Sequence, residues 1–269
     1  PGQRTIAAAG RARTWPRPGR PPLRAGHAPR RRPDCLRHRG RLQQTRQQTA
    51  GTASILAFGN PTFGPAQAAA APLKVGFTPL PSTANEVTQL AKLYGAAQSK
   101  IYLGAEAREE RLKAEAGNAS VLHLATHGIL NDASPMYSQI VLAQPDEKSS
   151  EDGLLEAWEV LKLDLHAQVA VLSACETGRG HIGAGEGVIG LTWAFFVAGA
   201  PATVVSQWKV DAESTSELMQ EFHRQLQARE QKAKAEALRT AALKLLQNPK
   251  YRHPFFWASF SLIGEGGMN

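Results

Sequence analysis

Cysteine is scarce in this sequence. Cys35 and Cys175 are the only two, one in an arginine-rich stretch and one at the end of an apolar run, so they read as unpaired. That removes a disulfide framework as the source of stability and makes a reactive thiol worth considering. Long hydrophobic runs are missing too. None reaches the ~18 residues that span a bilayer, and the N-terminus lacks the apolar core of a secretory signal, so the cytoplasm is the default expectation. Acid is nearly absent from the first fifty residues, where Asp34 alone faces thirteen arginines. That segment carries +12, and the remaining residues carry −4 of the overall +8. The basic balance therefore belongs to one end and implies neither a nucleic-acid face nor a membrane face on the rest.

Residues 1–50 also lack aliphatic periodicity while holding seven prolines and five glycines. Such a composition buries too little apolar surface to offset ordering entropy. The segment reads as a disordered tail or a misassigned stretch; the alternative is a basic arm for RNA or acidic lipid, with Trp15 as its one aromatic. Two further absences bear on cofactors. No metal-ligand cluster has convincing spacing, and the glycine-rich stretch lacks the GxxxxGK[ST] spacing of a nucleotide site, so no metal or cofactor is expected.

From residue 54 onward, short β-rich apolar runs alternate with segments of helical period, which predicts an α/β fold with a mostly parallel sheet flanked by helices. Strands are expected at 54–58, 100–103, 121–126, 168–174, 202–206 and 257–263, with a small excursion strand at 138–143. Helices are expected at 84–98, 106–116, 154–161, 188–198, 214–227 and 232–247, with Gly199 ending the fourth.

Two strands that read as central end in residues able to do covalent chemistry, His127 after VLHLAT and Cys175 after VAVLSA. In open parallel sheets, functional groups gather at the carboxyl ends of strands. Neighbouring strands lie ~4.8 Å apart, so residues ending nearby strands come within reach of each other. A thiol with pKa ~8.5 needs help to become a thiolate, and an adjacent imidazole supplies it. Backbone N–H groups of Gly128 and Cys175 are candidate donors to an oxyanion. His123 shares the strand of His127 but lies deeper and reads as a satisfied core residue. His166 precedes a strand, and His181 sits in the glycine-rich stretch.

The segments ILAFGNP (55–61), HLATHG (123–128), SACETG (173–178), GAGEG (183–187), AFFVAGA (194–200), SQWKVD (206–211) and HPFFWASFSLIG (253–264) together resemble the CHAT domain, a family grouped with caspases and separases. The resemblance covers about residues 51–269. It implies a caspase-like three-layer α/β sandwich and a cysteine endopeptidase, with His127 matching the family histidine and Cys175 its nucleophile. The 48-position separation also resembles the caspase His-to-Cys interval. SACETG is not the caspase QACRG pattern, so aspartate specificity is not implied. By resemblance to separases, Asp211 in SQWKVD is the candidate acid of a pocket for a basic side chain; equally, its position suits a helix cap. Trp208 either walls that pocket or packs the core. Glu186 is a candidate organiser of the loop after Cys175, and Asp152 with Gly153 reads as a turn.

The partner implied is a protein or peptide substrate. Many members carry tetratricopeptide repeats and further strand and helix material upstream, so a regulatory repeat partner or a missing upstream region is a further expectation. The rival function is a non-catalytic signalling scaffold that keeps the fold.

Overall fold

The computed structural model describes residues 54–64, 77–146, 148–173, 186–208, 211–228 and 233–267. The central sheet has six strands: β1 (Ile55–Pro61), β2 (Ser99–Gly104), β3 (Val121–Ala125), β7 (Val169–Leu172), β8 (Ala202–Ser206) and β9 (Phe260–Gly264). They lie in the order β2-β1-β3-β7-β8-β9, parallel except for β9, which pairs antiparallel with β8. The three strands β1, β3 and β7 are near-continuous apolar runs because both their faces are covered.

Alternation along each strand sorts the side chains into two layers. Ile55, Ala57, Val121, Val169 and Val171 face one apolar layer, against α1 (Pro81–Tyr94), α5 (Ala212–Leu226) and α6 (Lys234–Gln247). Leu56, Phe58, Leu122, Leu124 and Leu172 face the other, against α2 (Glu109–Glu115), α3 (Ala157–Val160) and α4 (Glu186–Ala198). The result is a three-layer sandwich in which each fully buried Leu or Phe contributes roughly 1.5–3 kcal/mol.

Two segments differ from expectation. The stretch 154–161 is not one helix: Leu154–Glu156 forms β6, and the helix is confined to α3, where Glu156 and Glu159 make a reciprocal capping box. Strand β6 joins β5 (Gln139–Val141) and β4 (Gly128–Ile129) in a separate antiparallel sheet, so the excursion strand has partners on both sides. At the C-terminal end, Pro254–Trp257 is a short helix, α7, and β9 starts only at Phe260. A proline after a capping histidine favours that first turn.

The GNP sequence that closes β1 organises the approach of α1. A Cβ on Gly59 would lie 2.8 Å from the Thr83 carbonyl oxygen, so only glycine lets the helix come this close. Asn60 takes a left-handed φ of 44°, its Oδ1 accepts from Leu80 N at 2.7 Å, and its own N donates to Thr83 Oγ1 at 2.8 Å.

Candidate functional site

His127 stands where β3 gives way to β4, with its backbone pinned on both sides. Thr126 Oγ1 donates to the Val141 carbonyl, and Val141 N donates to the His127 carbonyl at 2.9 Å. The imidazole is buried, with ring centroids 5.2 Å from Phe63 and 5.6 Å from Phe77. Its Nε2 lies 2.8 Å from the Thr78 carbonyl oxygen, in the segment that leads into α1. A carbonyl only accepts, so Nε2 carries the proton of that bond. In a neutral imidazole the lone pair then resides on Nδ1.

Gly128 opens β4, buried and paired opposite Ile140. Cys175 and His181 lie outside the described residues; β7 ends at Leu172 and is followed by buried Ser173, two positions before the cysteine. Glu186 is the first residue of α4, and its side chain is likewise outside the described set. Asp211 is the N-cap of α5: its Oδ1 accepts from Ser214 N at 2.9 Å. Trp208 Nε1 donates to the Phe255 carbonyl at 3.1 Å, and the two rings stack with centroids 6.5 Å apart. Asp152 accepts from Leu154 N at 2.8 Å beside Gly153 with φ of 77°, which is a turn. His166 Nδ1 lies 2.7 Å from the Gly117 carbonyl on the exposed surface.

His123 does occupy the core, at the centre of a buried polar chain. Glu86 Oε1 lies 2.9 Å from His123 Nε2 and 2.7 Å from Ser173 Oγ. His123 Nδ1 lies 3.1 Å from His223 Nε2, and His223 Nδ1 lies 2.9 Å from Tyr94 OH. One assignment satisfies every contact. Tyr94 donates to His223, His223 to His123, and both His123 and Ser173 to the Glu86 carboxylate. Burial, with His123 adding to it, pushes the His223 imidazole well below its ordinary value. Burial also raises the Tyr94 hydroxyl, so the chain holds its protons.

The roles of Glu86, His223, Ser173 and Thr78 are absent from the motif reading. Glu86 alone left a signal, as a carboxylate on the buried face of α1 one turn before Leu90. The partners that satisfy it lie 37 and 87 positions away and belong to no local pattern.

Elsewhere among the described residues, Glu109, Glu151 and Glu159 bring carboxylate oxygens within 4.8 Å of one another. Lys113 Nζ sits among them at 2.7, 2.6 and 2.9 Å and supplies the positive charge a metal would bring. An apolar cavity of about 300 Å³, lined by Ile189, Trp193, Phe196 and Ile263 among others, has no titratable side chain among the described residues that line it.

A model of the CHAT domain family matches residues 28–265. The chain belongs to the CHAT domain family. Tetratricopeptide repeat protein 28 of Homo sapiens is similar at 29% identity over 218 residues, covering 70% of this chain and 8% of that protein. The Mus musculus protein of the same name is 28% identical over 218 residues, 70% of this chain and 9% of its own length. This CHAT domain thus spans less than a tenth of the curated relatives it matches. In fold it is similar to separase in the Saccharomyces cerevisiae separase-securin complex, with a TM-score of 0.50 and 13% identity over 84% of this chain and 13% of that one. Among the described residues, no helix is long and apolar enough to cross a membrane.

Proposed function

We propose that this CHAT domain, taken as residues 51–269, is a cysteine endopeptidase in which His127 is the general base and Cys175 the nucleophile. The observation that carries the reading is the Thr78 carbonyl on His127 Nε2, which orients the ring where β3 ends and sets its tautomer. The ring is held further by Phe63 and Phe77, so little reorganisation is needed when it becomes charged.

In this mechanism the Cys175 thiol passes its proton to Nδ1 as sulfur attacks the carbonyl carbon of the scissile amide. The resulting oxyanion accepts from the backbone N–H groups of Gly128 and Cys175. When the intermediate collapses, Nδ1–H protonates the departing amine, and a thioester remains on Cys175. Water, deprotonated by the same nitrogen, then releases the acid and restores the thiol.

For specificity, Asp211 is assigned to read a basic residue before the scissile bond, with Trp208 walling the pocket and Glu186 ordering the segment after Cys175. Capping of α5 uses Oδ1 of Asp211, so a pocket role would add to the cap rather than replace it. A tetratricopeptide-repeat region or partner is the assigned regulatory context, supported by the names of the two relatives. The test is a peptide library incubated with purified protein and with Cys175→Ala. Cleavage by the parent alone is expected, enriched for Arg or Lys before the cut. Equal cleavage by both would reject the peptidase reading, and no cleavage by either would favour a scaffold.

A further inference from the structure

We propose that Glu86 is a positioning residue for the His127 and Cys175 pair, keying α1 to the ends of the two strands that lead into them. The proposal rests on the dyad reading above. It stands on three contacts. One carboxylate oxygen of Glu86 accepts from His123 Nε2 at 2.9 Å, four residues before His127, and from Ser173 Oγ at 2.7 Å, two residues before Cys175. The same helix is entered through Thr78, whose carbonyl holds His127 Nε2 at 2.8 Å. Glu86 thus joins β3, the end of β7 and the segment that orients the imidazole into one frame.

The surroundings make this joint stiff. Glu86 is 2% exposed, His123 and His223 are 0% exposed, and Ser173 is 2% exposed. Burial keeps bulk solvent from these bonds, and His123 is itself backed by His223 and Tyr94. Ser173 N also donates to the Leu124 carbonyl at 2.9 Å, so the residue is tied to β3 by its backbone and to α1 by its side chain. Apolar packing would fill the same space more cheaply than a buried carboxylate, two imidazoles and two hydroxyls; what the polar chain adds is direction.

The experiment is the rate of iodoacetamide modification of Cys175 at neutral pH, well below the melting temperature. The rate is read on the Cys175 peptide by mass spectrometry so that Cys35 does not contribute. Glu86→Ala and Ser173→Ala are expected to slow it about tenfold, the size of losing one hydrogen bond to a charged group. Glu86→Gln is expected to restore most of the rate, because the amide oxygen accepts both bonds. A purely structural role would lower the melting temperature of the alanine variants and leave the rate of the folded protein unchanged. An unchanged or faster rate in Ser173→Ala, which removes a single oxygen, overturns the proposal even where Glu86→Ala fails to fold. His127→Ala separates the two readings. If it slows the reaction and the Glu86 and Ser173 variants do not, the dyad stands and the positioning role falls. If it has no effect, the dyad reading falls and takes this proposal with it.

Discussion

Asp211 shows how one side chain can carry two separable roles. As the cap of α5 it needs only an oxygen, which asparagine also supplies, whereas recognition of a basic substrate needs the charge. Asp211→Asn is therefore expected to keep the melting temperature and abolish any preference for Arg or Lys. Asp211→Ala is expected to cost about 1 kcal/mol of stability in addition. Thermal melts beside library profiles check both, and a basic preference that survives in Asp211→Asn would remove this residue from the pocket. Glu109 makes a separate prediction. Burial raises its carboxyl to about 7, despite Lys113 beside it. A carboxyl raised in the folded state favours folding while protonated, so its contribution is full below its ordinary value and lost as pH climbs to about 7. Urea melts from pH 4.5 to 7 should show Glu109→Gln losing stability less steeply than the parent over that window. The sequence made His127 legible because it ends an apolar strand in a distinctive run. Glu86 escaped the motif reading because the groups that satisfy a buried carboxylate are distant in sequence.

At the scale of elements, α1 is the part with the most ties to the strand ends of the proposed site. Asn60, Glu86 and the Thr78 carbonyl tie it, or the segment leading into it, to β1, to β3 and the end of β7, and to His127 respectively. Most helix and strand positions followed from periodicity. The 154–161 stretch did not, because a three-residue strand running straight into a one-turn helix leaves no full period of either kind. The end of α4 was legible from one glycine. Gly199 has φ of 121°, and a Cβ there would lie 2.2 Å from the Leu165 carbonyl oxygen. Gly199→Ala combines that clash with a backbone conformation costing about 1–3 kcal/mol for other residues, so a destabilisation of at least about 2 kcal/mol is expected in denaturant melts. A near-neutral effect would mean the helix ends differently in solution.

Over the whole molecule, sheet order decides what the strand ends can do together. Strands β3 and β7 are direct parallel neighbours, with Leu124 in register with Leu172, so β3, which leads to His127, and β7, which ends three residues before Cys175, end at the same edge of the sheet. Alternating strands and helices made the α/β class legible, but not the antiparallel setting of β9 or the separate sheet of β4, β5 and β6, which depend on partners far along the chain. The most direct test of the account is the pH dependence of Cys175 alkylation in the parent and in His127→Ala. A thiol activated by His127 gives a midpoint about one unit or more below the ordinary thiol value of ~8.5 in the parent, returning toward that value when the imidazole is removed. Coincident profiles in the two proteins, both centred near an ordinary thiol, would contradict it.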